Sequence, residues 1–158
     1  ANIIKEKQLD KDIYKTKSVA SRISSLKNNL ITPKAYFQNG ELQAQDSAAK
    51  MPMFGEIYQA YAERCFRAGC MDFDDLLLKT NELMYRFPEV LAKYQNRFKY
   101  ILVDEYQDTN HSQYLIVKAL AAKFENICIV GDDAQSLQAA ACPIFKTDSD
   151  RLLSIYQQ

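Results

Sequence analysis

The sequence has 158 residues, 47% hydrophobic and 25% charged, a length and mixture that suit one globular domain or two small lobes and exclude a fibrous or low-complexity chain. Lys plus Arg equal Asp plus Glu at 20 each, so the overall balance lacks the basic excess of a self-sufficient nucleic-acid binder, and any such contact has to be local. No apolar run reaches the roughly 18 residues of a membrane span, no apolar N-terminal leader is present, and the expectation is a cytoplasmic protein without membrane contact.

Residues 1–17 are polar and lysine-rich, with Ile3, Ile4, Leu9 and Ile13 spaced for no more than a short surface helix. Ser18 reads as the N-cap of a helix with Val19, Ile23, Leu26 and Leu30 on one side, stopping near Thr32-Pro33. Pro33 can open another short helix. Residues 39–52 are polar and turn-rich and read as a loop. From Phe54 the helical period is strong, with Ile57, Tyr58, Tyr61, Ala62, Cys65 and Phe66 on the same face and an end at Gly69. A further helix begins near Asp72 with Phe73, Leu76, Leu77, Thr80, Leu83 and Met84 inward, and another at Pro88 with Val90, Leu91, Tyr94 and Phe98. A tyrosine stripe on such faces can stack on bases, but helical spacing favours a core role.

The pattern changes at Lys99. Tyr100-Ile101-Leu102-Val103 and Ile127-Cys128-Ile129-Val130 are short continuous apolar runs, as in strands buried on both faces of a parallel sheet. Between them lies a helical face of Tyr114, Val117, Leu120, Ala121 and Phe124, opened by Asn110 and Gln113 at capping-box spacing. Strand, helix, strand is a βαβ unit, and two strands alone make a poor sheet, so partner strands are expected from elsewhere. Cys65, Cys70, Cys128 and Cys142 form no CxxC pair, and His111 is the single histidine, so buried reduced thiols are expected rather than a zinc site. His111 is expected in solvent.

Both strands end in acids: Asp104-Glu105 after the first, and Gly131-Asp132-Asp133 after the second. Ligands of open parallel sheets bind beyond the carboxyl ends of the strands. An Asp there can hold Mg²⁺ through water, and a neighbouring Glu can activate an attacking water. Taken alone, an Asp-Glu pair is better read as capping the following turn. Gln135 taken alone reads as a loop-surface residue.

The run from Val103 through Asp104, Glu105, Tyr106, Gln107, Asp108, Thr109 and Asn110 resembles the DExQDTN motif of UvrD, Rep and PcrA type superfamily 1 DNA helicases. Gly131-Asp132-Asp133-Ala134-Gln135-Ser136 resembles their GDxxQS motif, Asp72-Phe73-Asp74-Asp75-Leu76-Leu77 their DFDDLL segment, and Ile23-Ser24-Ser25-Leu26-Lys27-Asn28-Asn29-Leu30 their insertion-domain helix. The resemblance covers roughly residues 13–137. It implies an α/β fold with a helical insertion lobe over 1–71, part of a RecA-like P-loop NTPase domain over 72–142, and a tail of unassigned origin over 143–158. It further implies that Asp104 serves Mg²⁺, that Glu105 activates the hydrolytic water, and that Gln135 senses the γ-phosphate of ATP. The implied parent couples ATP hydrolysis to 3′ to 5′ movement on single-stranded DNA and to duplex unwinding, with surface lysines of the insertion lobe on phosphate. Gln107, Asp108 and Thr109 read as shaping and capping residues.

The sequence also departs from the family. No GxxxxGK[ST] loop is present, so the cradle for the β- and γ-phosphates is missing. After Ser136 the chain reads Leu137-Gln138-Ala139, where the family carries an aromatic residue and an arginine. The expectation is therefore an internal piece of a helicase, inactive without the remainder of the motor. The alternative is a non-catalytic interaction or DNA-binding module derived from a helicase. A metal nuclease is a weaker third reading, because the acids fit the helicase spacing.

Overall fold

Phe54, at the head of the longest apolar face, is fully buried in a computed structural model that describes residues 1–131. Around it gather Ile4, Tyr14, Val19, Ile23, Leu26, Tyr36, Ile57 and Tyr58, and each apolar side chain of this size contributes about 1.5–3 kcal/mol when taken fully from water. They come from α1 (Asn2–Glu6), α2 (Thr16–Asn28), α3 (Pro33–Gln38) and α5 (Phe54–Arg67), and from the Tyr14 turn. Gly55 lets α5 come close to α3: a Cβ there would lie 2.7 Å from the Tyr36 ring and 2.9 Å from that of Phe37. The first 17 residues thus do more than lie on the surface, because Ile4 and Tyr14 are core residues and the Tyr14 hydroxyl accepts the Met53 N–H at 3.1 Å.

Two helix assignments differ from the sequence reading. Lys15 is the N-cap of α2, so Ser18 lies within the first turn rather than ahead of it. Residues 39–52 are not a loop; they contain α4 (Gly40–Ala48), capped by the Asn39 side chain, which accepts the N–H groups of Glu41 and Leu42. Polarity hid this helix because its anchor is polar. Buried Asp46 accepts two hydrogen bonds from the Arg22 guanidinium, at 3.1 and 3.3 Å, and one from the Tyr36 hydroxyl at 2.9 Å.

The second half carries α6 (Phe73–Arg86), α7 (Pro88–Arg97), β1 (Ile101–Val103), a 3-10 turn (Tyr106–Asp108), α8 (His111–Ala121) and β2 (Ile127–Ile129). Helix α6 packs against α2, α7 and α8. Pro33 opens α3, Asp72 caps α6, and Pro88 opens α7, all where the sequence reading starts a helix, and Thr32 adds a cap to α3 that the reading did not include. Asn110 and Gln113 form the reciprocal cap of α8. The two strands pair in parallel with Ile101 opposite Ile127 and Val103 opposite Ile129, so the βαβ unit is present.

The inward faces are narrower than their periodicity suggests. Phe66 is 86% exposed and Phe73 90%, while Leu76 and Leu83 are also exposed and Leu78 is the buried residue of α6. Leu102 is 71% exposed, so the sheet is not covered on both faces by the described residues. The thiols follow the same trend: Cys70 and Cys128 are exposed and Cys65 is half-buried, against the burial expected for them. Of the tyrosines, Tyr14, Tyr36, Tyr58 and Tyr114 are core residues. No helix among the described residues is long and apolar enough to cross a membrane. The fold is mostly helical with one small parallel sheet, compatible with the α/β class.

Candidate active site

The carboxyl ends of β1 and β2 lie side by side. Val130 donates its N–H to the Val103 carbonyl at 2.8 Å, and Tyr106 returns one from its N–H to the Val130 carbonyl at 3.1 Å. The turn after the first strand is thereby stitched to the end of the second, at the edge where ligands of open parallel sheets bind. Asp104 and Glu105 are both exposed there.

Asp104 accepts the Glu105 N–H through Oδ1 at 2.9 Å and has no cationic side chain paired with it among the described residues. An exposed, uncompensated carboxylate is a hard oxygen donor of the kind Mg²⁺ takes once or twice while retaining water. The described residues contain no cluster of three or more acidic, histidine or cysteine side chains that would form a closed cage.

Glu105 has left-handed backbone angles, φ 52° and ψ 42°, at the head of the 3-10 turn. A residue with a Cβ adopts this region at a cost of about 1–2 kcal/mol. Its carbonyl accepts the Asp108 N–H at 3.0 Å, and its carboxylate accepts a hydrogen bond from Gln107 Nε2 at 2.5 Å. His111 is exposed, as expected. Asp132, Asp133 and Gln135, together with Cys142 and the tail, lie outside the described residues.

Behind this turn sits a polar network that the sequence motifs touch without revealing. Lys27 is 1% exposed, and its ammonium lies 2.7 Å from Asp72 and 2.8 Å from Asp75. Asp72 also receives the Tyr61 hydroxyl at 2.7 Å and, as N-cap of α6, the Asp75 N–H at 2.7 Å. Burial alone disfavours charge on both partners, but their mutual hydrogen bonds and attraction outweigh it. The Lys27 pKa ends above its ordinary value and that of Asp72 below.

The neighbouring residue, Asn28, donates from Nδ2 to Asp74 at 3.1 Å and accepts through Oδ1 from Asn110 Nδ2 at 3.0 Å. Asn110 closes the acidic motif and caps α8 with its own side-chain oxygen. Helix α2 is therefore tied both to the start of α6 and to the end of the turn that carries Asp104 and Glu105. These residues were visible in the sequence as parts of three separate motifs; nothing in their spacing shows that they meet.

Residues 1–139 match the family described as UvrD/REP helicase N-terminal domain. The ATP-dependent DNA helicase PcrA of Staphylococcus aureus strain Mu50 is 41% identical over 136 residues, which cover 86% of this chain and 18% of that protein. The protein of the same name from Staphylococcus epidermidis matches to the same extent. The chain belongs to the UvrD/REP helicase N-terminal domain family, and it spans about 18% of the length of these relatives.

Proposed function

We propose that this segment supplies the acidic half of the ATPase site of a DNA helicase, with Asp104 holding Mg²⁺ and Glu105 acting as the base for hydrolysis. The observation that carries the reading is the exposed Asp104-Glu105 pair, set at the carboxyl end of β1 and hydrogen-bonded through its turn to the end of β2. In this reading residues 1–71 are a helical insertion lobe, residues 72–142 are part of a RecA-like domain whose remaining strands come from elsewhere, and 143–158 are a tail without assigned role.

Mg²⁺, when bound with ATP, neutralises charge on the β- and γ-phosphate oxygens. Glu105 accepts a proton from water as the water oxygen attacks the γ-phosphorus; the bond to the bridging oxygen breaks, and ADP and phosphate leave. In this reading Gln135 senses the γ-phosphate, a role open to an amide that can both donate and accept. The parent protein uses this cycle to move 3′ to 5′ along single-stranded DNA and open duplex, its lysine-rich insertion lobe resting on phosphates. Such a motor works in the cytoplasm. Because no phosphate-binding loop occurs in the sequence, the 158-residue chain alone does not turn over ATP.

That missing loop also favours a second reading, a non-catalytic module that binds DNA or a protein partner. Calorimetric titration with Mg²⁺-ATP, followed by phosphate release with and without single-stranded DNA, separates the two. The motor reading requires no turnover by the chain alone, DNA-stimulated turnover by the full-length protein, and a loss of about 10²–10⁴-fold on Glu105→Gln. Unchanged hydrolysis by the Glu105→Gln protein removes Glu105 from the chemistry. DNA binding by the full-length protein without any hydrolysis leaves the module reading.

A further inference from the structure

A base in an exposed turn has to be aimed, and the described residues include a group that can do so. The backbone of Glu105 is held on both sides, its N–H by Asp104 Oδ1 and its carbonyl by the Asp108 N–H. Its side-chain torsions are not fixed by these bonds. The residue is exposed, so hydrogen bonding to the carboxylate is what can limit its rotation.

Gln107 supplies that limit. A carboxylate accepts and does not donate, so the Gln107 NH₂ must be the end facing Glu105, and it does so at 2.5 Å. The amide oxygen is then turned to the other side, toward Gly131. A Cβ at Gly131 would lie 2.8 Å from Gln107 Oε1, closer than real Cβ contacts come, and only 3.4 Å from the Tyr106 Cβ. The bare glycine backbone at the end of β2 is thus what leaves room for the amide. The Tyr106 N–H to Val130 carbonyl bond, one residue before each, keeps the two backbones at this separation.

We propose that Gln107 is a positioning residue for Glu105, its side-chain amide aiming the carboxylate while packed against Gly131, so that the first residue of the second acidic run sets the geometry of the first. This rests on Glu105 being the base, as proposed above. Gln107 itself touches no reacting atom. Its effect is confined to the step in which the water proton moves to the Glu105 carboxylate, so it belongs in kcat rather than in ATP affinity.

The test is steady-state, DNA-stimulated ATP hydrolysis by the full-length protein and its Gln107→Ala, Gln107→Glu, Gly131→Ala and Gln107→Ala/Gly131→Ala variants, each also melted thermally, with Glu105→Gln as reference. Gln107→Glu keeps the size of the side chain and replaces its donor by a second acceptor, so a packing role survives it and a donor role does not. Expected are falls in kcat of about 10- to 100-fold for the two Gln107 variants, and a smaller fall for Gly131→Ala, whose methyl meets only the flexible end of Gln107, with KM for ATP and melting temperature essentially unchanged. In the Gln107→Ala background the added methyl of Gly131→Ala has room, so the double variant falls no more than about twofold below Gln107→Ala.

The proposal is overturned if Glu105→Gln abolishes hydrolysis while Gln107→Ala and Gln107→Glu keep wild-type kcat. It is also overturned if their losses appear in KM or melting temperature instead, or if the two sites lose activity additively. Full hydrolysis by Glu105→Gln defeats the reading of Glu105 as base, a result distinguishable from each of these.

Discussion

Lys27 shows how a charged side chain becomes a core residue. A lone ammonium does not survive burial, but this one meets two carboxylates within 2.8 Å and lies 4.9 Å from the centre of the Tyr61 ring. Removing one partner of a buried ion pair leaves the other uncompensated, which costs more than the pair contributes. Asp72 keeps its hydrogen bonds from Tyr61 and from the Asp75 backbone, which places Lys27→Met at the lower end of the range for such losses, about 3 kcal/mol. Urea denaturation measures it: a midpoint unchanged from wild type would show that the ammonium contributes no net stability. The same logic distinguishes Lys27 from the surface pairs, such as Lys79 with Glu82 on α6, where solvent screening leaves little to lose.

Among the elements, α2 joins the two halves of the chain. It packs on α6 and α8, and Asn28 bridges Asp74 and Asn110 across 46 and 82 residues of sequence. A double-mutant cycle on Asn28→Ala and Asn110→Ala should give a coupling of about 0.5–1.5 kcal/mol by urea denaturation. Strict additivity would mean that the two side chains do not interact in solution. This contact also marks the limit of what could be read in advance. Several helix starts were legible because their signals are local: Pro33, Asp72, Pro88, and Asn110 with Gln113 each act within one turn, whereas the starts of α2 and α4 were misread. Ends were not legible. Helices α1, α2 and α4 finish with Gln8, Leu30 and Lys50 at positive φ, each followed by an N–H bonded back five residues, and only α5 marks the same turn with a glycine, Gly69. The acids of the candidate site were legible as a motif. What aims and supports them was not, since Gln107 against Gly131 and Asn28 against Asn110 depend on how the chain returns on itself.

The whole molecule stores protons that its unfolded form would release. Burial pushes Tyr36, Tyr58 and Tyr61 well above the usual phenol range, and Lys27 ends above its ordinary value through Asp72 and Asp75 despite burial. Unfolded, these groups begin to lose protons near pH 10. The folded state then binds more protons than the unfolded one, and stability falls as pH rises beyond that point. Asp72 is shifted the other way: burial opposes its charge, but the bonds from Lys27, Tyr61 and the Asp75 backbone prevail. Its contribution is present above about pH 4 and lost as pH falls through its lowered folded value. Melting temperature against pH should therefore show a plateau bounded by both limits, with the three tyrosines ionising only as the chain unfolds. Phenolate absorbance appearing fully before any loss of helix would contradict the burial of Tyr36 and Tyr58.

One position sets this stability against the proposed chemistry. With φ at 52°, residue 105 sits where a glycine would rest without strain, relieving about 1–2 kcal/mol, yet a glycine there carries no carboxylate. Selection on heat resistance alone would thus reward loss of the very carboxylate proposed as the base, so in a full-length protein that depends on Glu105 greater thermal resistance and weaker hydrolysis would arrive together.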